Sequence, residues 1–150
     1  LSGGDKDASG VFHGWASYPQ TQWLTESLFA IKQDTRMLSE NIVPLGVQYL
    51  VDLGKKYQFS PDDIDWFLPH MSSMFFKDVI LKETEKAGFY IPEEKWFYNL
   101  PQIGNIGSAS AFAMVEELLN SGKLKKGQKI LVMVPESARF SYCYFMLTVC

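Results

Sequence analysis

The hydrophobic residues of segment 24–57 recur every three or four positions, which is the spacing of one face of an α-helix. The apolar positions that set this period are Met37, Leu38, Ile42, Leu45, Leu50 and Leu53. Pro44 lies inside the run. Because proline lacks a backbone N–H and its ring clashes with the preceding turn, we predict that the helix kinks or breaks near this residue.

Shorter apolar runs have the length and composition of β-strands. Residues 64–69, "IDWFLP", are apolar and stopped by proline, and residues 130–134, "ILVMV", are uniformly apolar. A tight connection, "PESARF", leads from the second run into a final strand at 141–149. Residues 11–18, "VFHGWASY", mix aromatic and small side chains, and we interpret them as an edge strand.

Two further segments have the pattern of helices. The first lies within residues 71–88 and ends at Gly88, and the second runs to about Asn120 and is closed by Gly122. The apolar stripe of the first helix is predicted to contain Met74, Phe75, Val79 and Ile80. Between the two helices we predict a loop with a short extended piece that ends at Leu100.

The alternation of strands and helices, followed by two strands, predicts an α/β fold in which helices cover a largely buried mixed sheet. A chain of 150 residues, with 47% hydrophobic and 21% charged residues, suits one globular domain with its own core. The net charge of −3 argues against a nucleic-acid partner. No apolar run approaches the roughly 20 residues that a membrane span needs, so we expect no membrane association.

The two cysteines, Cys143 and Cys150, both lie in the last strand-like run. In an extended strand residues at this spacing lie far apart and on opposite faces, so they cannot form a disulfide with each other. We interpret them as two buried thiols in a reducing cytosol. No cluster of His, Cys, Asp or Glu has the spacing of a zinc site, so no metal is predicted. The start, "LSGGDKDASG", lacks methionine and is typical of a cut inside a longer chain.

His70 and Asn105 are the candidates for chemistry. His70 follows the strand "IDWFLP" at its carboxyl end, where α/β proteins tend to place reactive groups. Asn105 lies in "NLPQIGNIGSAS", ahead of a helix, where it or Ser108 could instead cap that helix. Gly104 and Gly107 could be there only for unusual backbone dihedral angles. The segment lacks the glycine pattern of a dinucleotide site and the lysine of a phosphate loop, which disfavours a nucleotide ligand.

Taken together, the motifs have a more specific pattern. "IDWFLPH" is followed by "GNIGSAS", with Asn105 placed 35 positions after His70, and then by "GKLKKGQKILVMV". From about Asp34 to the C-terminus this order resembles the C-terminal half of β-ketoacyl-acyl carrier protein synthase III, a family of the thiolase-like superfamily. The resemblance implies a thiolase-like α/β half with helices layered on a mixed sheet of the five-stranded type. We therefore divide the chain into an N-terminal loop and edge segment, 1–33, and a synthase III-like domain, 34–150.

The resemblance also implies the roles of particular residues. In the family the matching histidine and asparagine belong to a Cys-His-Asn active site, which makes His70 and Asn105 the expected catalytic residues. Both would donate to the oxygen of a malonyl thioester that becomes an enolate on decarboxylation. The neighbouring small residues would leave room for the pantetheine arm of the substrate. On this basis Ser72, Ser73, Gly104 and Gly107 are expected to bind substrate.

The family resemblance implies a set of partners as well. The expected substrates are thioesters of coenzyme A or acyl carrier protein, and no metal or tightly bound redox cofactor is expected. The nucleophilic cysteine would come from an N-terminal half that this chain lacks, because neither Cys143 nor Cys150 lies at the matching place. The chain alone is therefore expected to be inactive. The complete enzyme is expected to be a cytoplasmic homodimer that catalyses decarboxylative Claisen condensation in fatty-acid biosynthesis.

Two departures from the family pattern leave alternatives open. "VPESARFSY" stands where the family has a glycine-rich turn, which favours a specialised condensing or acyl-transferring enzyme of a secondary pathway. Met71, Ser72 and Ser73, then Phe75, replace the Gln-Ala-Asn and the arginine that serves carrier-protein docking, and Lys77 is the nearby cation that could substitute for it. A third reading is a noncatalytic α/β module in which His70 and Asn105 are only structural.

Overall fold

The fold is described by a computed structural model that covers residues 33–150 in full, together with the backbone of Ser2–Gly4, Phe12–His13 and Lys32. Most of the segment 1–33 therefore lies outside the described residues. The edge strand predicted at 11–18 falls there too, except for Phe12–His13, which forms a two-residue strand.

The helices and strands alternate as the hydrophobic pattern indicates. The helices are α1 (Thr35–Tyr57), α2 (Phe75–Lys86), α3 (Leu100–Ile103) and α4 (Ala109–Asn120), with 3₁₀ turns at Pro61–Asp63 and Glu93–Lys95. The strands are β1 (Ser2–Gly4), β2 (Phe12–His13), β3 (Lys32–Gln33), β4 (Trp66–Pro69), β5 (Lys129–Glu136) and β6 (Ser141–Thr148). The stops predicted at Gly88 and Gly122 are confirmed, since both glycines have positive φ, of 70° and 72°.

The main sheet is mixed, as predicted, with strand order β1-β6-β5-β4. Strands β4 and β5 are parallel, whereas β5 pairs antiparallel with β6 and β6 with β1. A single parallel bridge joins Phe67 to Trp96 on the outer side of β4, and the N–H of Phe97 donates to the carbonyl of Phe67 at 2.9 Å. In the described part of the chain the sheet thus has four strands and one bridge at a fifth position.

Both faces of the sheet are buried, because alternate residues of β4 and β5 belong to different cores. Phe67 and Leu131 pack on the side of α1 and α2, while Leu68 and Val132 pack against α4. This arrangement explains why the two strands read as continuous apolar runs rather than as an alternation of apolar and polar residues.

Helix α1 is held to β6 by two tyrosines. The hydroxyl of Tyr142 donates to the carbonyl of Ile42 at 2.7 Å, and that of Tyr144 to the carbonyl of Gly46 at 2.9 Å. A Cβ on Gly46 would lie 2.8 Å from the Tyr142 ring, so glycine permits the close approach of helix and strand. Complete burial raises the pKa of Tyr144 far above its ordinary value.

Helix α1 runs unbroken through Pro44, so the predicted break does not occur. Pro44 removes one backbone donor, and the carbonyl of Glu40 would otherwise accept from it. Both residues are exposed, and water can therefore satisfy the freed carbonyl.

The stripe predicted for α2 is wrong in part. Met74 and Phe75 are 36% and 63% exposed, whereas Ile80 is buried and Phe76 packs against the core. The helix begins at Phe75. Val79 and Ile80 of the predicted stripe do pack in or against the core, and Phe76 takes the place expected of Met74 and Phe75.

Two smaller predictions also need correction. Leu100 begins α3 rather than ending an extended piece, because the carbonyl of Asn99 accepts the N–H groups of Gln102 and Ile103 at 3.0 Å. Both cysteines are free, as predicted, but Cys150 is exposed because β6 ends two residues before it, and Cys143 is only half-buried. In the part of the chain that the structure describes, no helix is long and apolar enough to cross a membrane.

Candidate active site

His70 lies where β4 leaves the sheet, as the sequence predicts. Its backbone N–H donates to the carbonyl of Met133 at 2.8 Å, which continues the parallel pairing of β4 with β5 by one residue beyond Pro69. The backbone of His70 is therefore hydrogen-bonded to the sheet, and its imidazole lies at the carboxyl end of β4.

The His70 side chain is buried, with 7% of its surface exposed. Its Nδ1 atom has no hydrogen-bond partner within the described residues. Burial lowers the pKa of His70, because removal from water disfavours the charged imidazolium. At neutral pH the ring is thus uncharged, with one nitrogen that donates and one that accepts.

Asn105 lies in the loop between α3 and α4, and its amide is oriented locally. Its Oδ1 accepts the N–H of Gly107 at 2.9 Å, while its Nδ2 makes no hydrogen bond to the described residues. The amide is therefore free to donate from Nδ2. The capping alternative is not seen, because the residue at the N-cap of α4 is Ser108 and its side chain makes no capping bond.

Gly104 and Gly107 have positive φ angles of 75° and 65°. A Cβ at either position would meet no described atom within 4 Å, so within this chain the glycines are required by the backbone conformation and not by crowding. The positive φ angles turn the backbone on either side of Asn105.

One open cavity of about 660 Å³ is lined by both His70 and Asn105. Of the residues expected to bind substrate, Ser72, Ser73 and Gly107 line the same cavity. Gly104 does not; it lines a smaller chamber on another side of His70. The structure thus brings five of the six predicted site residues to one cavity.

Several residues that line this cavity were not among the site residues expected from the sequence. Glu136 and Ser137, at the end of β5, line it, as does Ile42 of α1. The carboxylate of Glu136 accepts the N–H of Ala138 at 2.6 Å and that of Arg139 at 3.2 Å, and so shapes the turn into β6. The unusual "PESARF" turn was the available signal, since it immediately follows a buried strand.

Lys77 is not a free cation beside the cavity. Its ammonium pairs with Glu93 at 2.5 Å, and its side chain is only 20% exposed. It also lies 5.8 Å from the centre of the Tyr98 ring. The hydrogen bond to Glu93 raises the pKa of Lys77, so this charge is compensated within the domain.

No group of three or more His, Cys, Asp or Glu side chains suited to a metal ion occurs in the described part of the chain. Neither cysteine lines the cavity of His70 and Asn105. The charged side chain that lines it is Glu136.

Comparison with known proteins gives the family. The family described as "3-Oxoacyl-[acyl-carrier-protein (ACP)] synthase III C terminal" matches residues 55–135. The chain belongs to this family. It is 31% identical over 149 residues to the beta-ketoacyl-[acyl-carrier-protein] synthase III of Syntrophomonas wolfei, an alignment that covers 91% of this chain and 41% of the relative.

Solved structures of synthase III proteins share the fold. The chain superimposes on the synthase III of Thermus thermophilus with a TM-score of 0.75 and 19% identity, covering all of this chain and 45% of the other. It superimposes on AbyA1, a tetronic acid condensing enzyme, with a TM-score of 0.75 and 18% identity, covering 99% and 46%. The fold is thus the α/β arrangement of synthase III. The chain spans 25% to 41% of the length of the first curated relatives.

The burial of His70 predicts how its ring titrates. An unperturbed histidine is half-protonated near pH 6.5. Because the folded-state pKa is lowered, the stability that comes from burying neutral His70 is present above that pH and is lost as the pH falls towards the folded pKa. We expect the His70 ring to remain mostly neutral at pH 6.5 in an NMR titration. The signals of His70 in the full-length protein are assigned as those absent from a His70→Gln variant. Half-protonation at or above pH 6.5 would contradict the prediction.

Proposed function

We propose that this chain is the C-terminal half of a synthase III condensing enzyme. The reaction is decarboxylative Claisen condensation of an acyl thioester with malonyl-acyl carrier protein in fatty-acid biosynthesis. The observation that carries the proposal is the cavity shared by a neutral, buried imidazole, His70, and an amide, Asn105, whose oxygen is already bonded.

The chemistry of the reaction explains why the site needs two neutral hydrogen-bond donors. When the malonyl thioester loses carbon dioxide, the electron pair of the broken C–C bond moves onto the thioester oxygen to form an enolate. Neutral N–H groups of His70 and Asn105 stabilise this charge without a proton having to move. The enolate carbon then attacks the acyl group on the enzyme's cysteine, and the cysteine thiolate leaves. These steps require neither a metal nor a redox cofactor.

The upstream half supplies what the chain lacks. It provides the cysteine nucleophile, because neither cysteine of this chain lines the cavity. It also covers apolar side chains that α3, α4 and the intervening loop leave exposed by 41% to 71%, namely Ile103, Ile106, Phe112 and Leu119. Such a concentration of exposed apolar surface is typical of an interface. Residues 34–150 then form the C-terminal domain and residues 1–33 lead into it.

The remaining partners follow from the family resemblance. The pantetheine arm of coenzyme A or acyl carrier protein would pass along Ser72, Ser73 and Gly107 towards His70, with Gly104 shaping the loop behind it. The complete enzyme is proposed to be a cytoplasmic homodimer.

Replacing either proposed donor tests the function directly. In the full-length protein, His70→Ala and Asn105→Ala should each lower the rate of malonyl-thioester decarboxylation by about 10² to 10³, because each removes one donor to the enolate oxygen. Asn120→Ala is the matched control, since Asn120 is exposed and its side chain bonds to Glu116 on the same helix. Release of carbon dioxide is the measurement. Full activity in both variants would support a noncatalytic module instead.

Glu136 favours a second candidate, a specialised condensing or acyl-transferring enzyme of secondary metabolism. It is the one charged side chain that lines the cavity among the described residues. A carboxylate there repels the carboxylate of a malonyl group. A neutral acyl thioester would not meet this repulsion, so the turn that contains Glu136 bears on substrate choice.

The variant Glu136→Gln distinguishes the two candidates. Under the second candidate, kcat/KM for a malonyl thioester should rise by roughly three- to tenfold when the like charge is removed, with little change for a neutral acyl thioester. Glu116→Gln, on the exposed face of α4, is the control. Equal effects on both substrates, or none, would remove the argument for the second candidate.

A further inference from the structure

Three buried polar side chains meet in one small chamber. Within residues 33–150, the buried polar side chains are His70, Thr84, Asn99 and Ser110. Thr84 donates to backbone carbonyls of its own helix. The other three line a chamber of about 10 Å³ beneath the Asn105 loop, together with Gly104 and Met114. Burying polar groups is unfavourable unless they are hydrogen-bonded. We therefore expect hydrogen bonds to connect these three side chains.

Several hydrogen-bonding atoms of these three side chains have no partner among the described residues. Asn99 donates from Nδ2 to Glu117 at 2.7 Å, which leaves its Oδ1 as an acceptor. Ser110 accepts the N–H of Ile106 at 3.3 Å, and its hydroxyl hydrogen has no acceptor among the described residues. The Nδ1 of His70 is buried without a partner. The side chains that line the chamber therefore include an unused donor, the Ser110 hydroxyl, an unused acceptor, Asn99 Oδ1, and an unpartnered ring nitrogen, His70 Nδ1.

We propose that Ser110 is a positioning residue for His70, acting through one ordered water in this chamber. The volume is that of a single water, and such a water needs two to four polar partners, which the chamber supplies. The Ser110 hydroxyl donates to the water. The water donates one hydrogen to His70 Nδ1 and the other to Asn99 Oδ1. This inference rests on the proposed function for its catalytic consequence, but not for the geometry.

This hydrogen-bond network would fix the tautomer of the His70 ring. When Nδ1 of a neutral histidine accepts a hydrogen bond, the ring proton resides on Nε2. Nδ1 of His70 is sealed from solvent, so Nε2 is the nitrogen that can serve the open cavity. The network thus places the only ring N–H on the side where an enolate oxygen would lie.

Ser110 also links the two proposed donors. The N–H that it accepts belongs to Ile106, the residue directly after Asn105. One side chain at the start of α4 therefore steadies the asparagine loop and, through the water, the histidine ring. If Ser110 had only a structural role, its replacement would affect the Asn105 loop but not the His70 ring.

The imidazole nitrogen NMR spectrum of the ¹⁵N-labelled full-length protein tests the proposal. With the His70 signals assigned as those absent from a His70→Gln variant, His70 should be the Nε2–H tautomer at neutral pH, with an Nδ1 resonance shifted by an accepted hydrogen bond. Ser110→Ala and the similarly sized Ser110→Cys should both move that resonance towards an unbonded nitrogen and admit the Nδ1–H tautomer. Ser110→Thr, which keeps the hydroxyl, should restore it. Ser121→Ala, at the other end of α4, should change nothing.

Kinetics separates this inference from the proposed function. Ser110→Ala should lower kcat for malonyl-thioester decarboxylation by on the order of tenfold, the effect typical of losing a residue that orients a functional histidine, with KM unchanged. An Nδ1–H tautomer in the unmodified protein, or Ser110 variants with unaltered His70 spectra, would overturn the inference. An unmodified protein that decarboxylates nothing but shows the expected spectra would overturn only the proposed function.

Discussion

The parallel pairing of β4 with β5 is the constraint on which the rest of the structure depends. It sets Pro69 opposite Met133 and lets the N–H of His70 bond to the Met133 carbonyl just beyond the last strand residue. Because helices cover both faces of these strands, their register cannot slip without exposing one of the two cores. Beyond Met133, β5 continues to Glu136 in its pairing with β6, and the histidine and the unusual turn line one cavity.

Much of the fold could be predicted because its signals are local. Continuous apolar runs marked β4 and β5, and Gly88 and Gly122 marked helix ends through their left-handed conformation. The exposure of Phe75 could not be predicted, since the face that a helix buries depends on where its first turn meets the sheet. The unbroken helix at Pro44 likewise depends on solvent access to a neighbouring carbonyl.

The candidate site was predictable only in part, for a related reason. His70 and Asn105 were found because two short motifs occur in a fixed order, and the fold brings both to one cavity. Asn99 and Ser110 have no sequence signal, because such residues are common at turns and helix starts. Only their burial beside His70 distinguishes them. The orientation of the His70 ring decides which nitrogen can donate to the cavity. It depends on residues that are distant in sequence, so a local sequence pattern could not predict it.

The central claim is that His70 and Asn105 act on one oxygen atom. A crystal structure of the full-length protein with an unreactive malonyl-thioester analogue tests it most directly. The account predicts that the thioester oxygen lies within hydrogen-bond distance, about 3.2 Å or less, of both His70 Nε2 and Asn105 Nδ2. An oxygen that contacts only one of them, or an analogue bound outside the cavity, would contradict it.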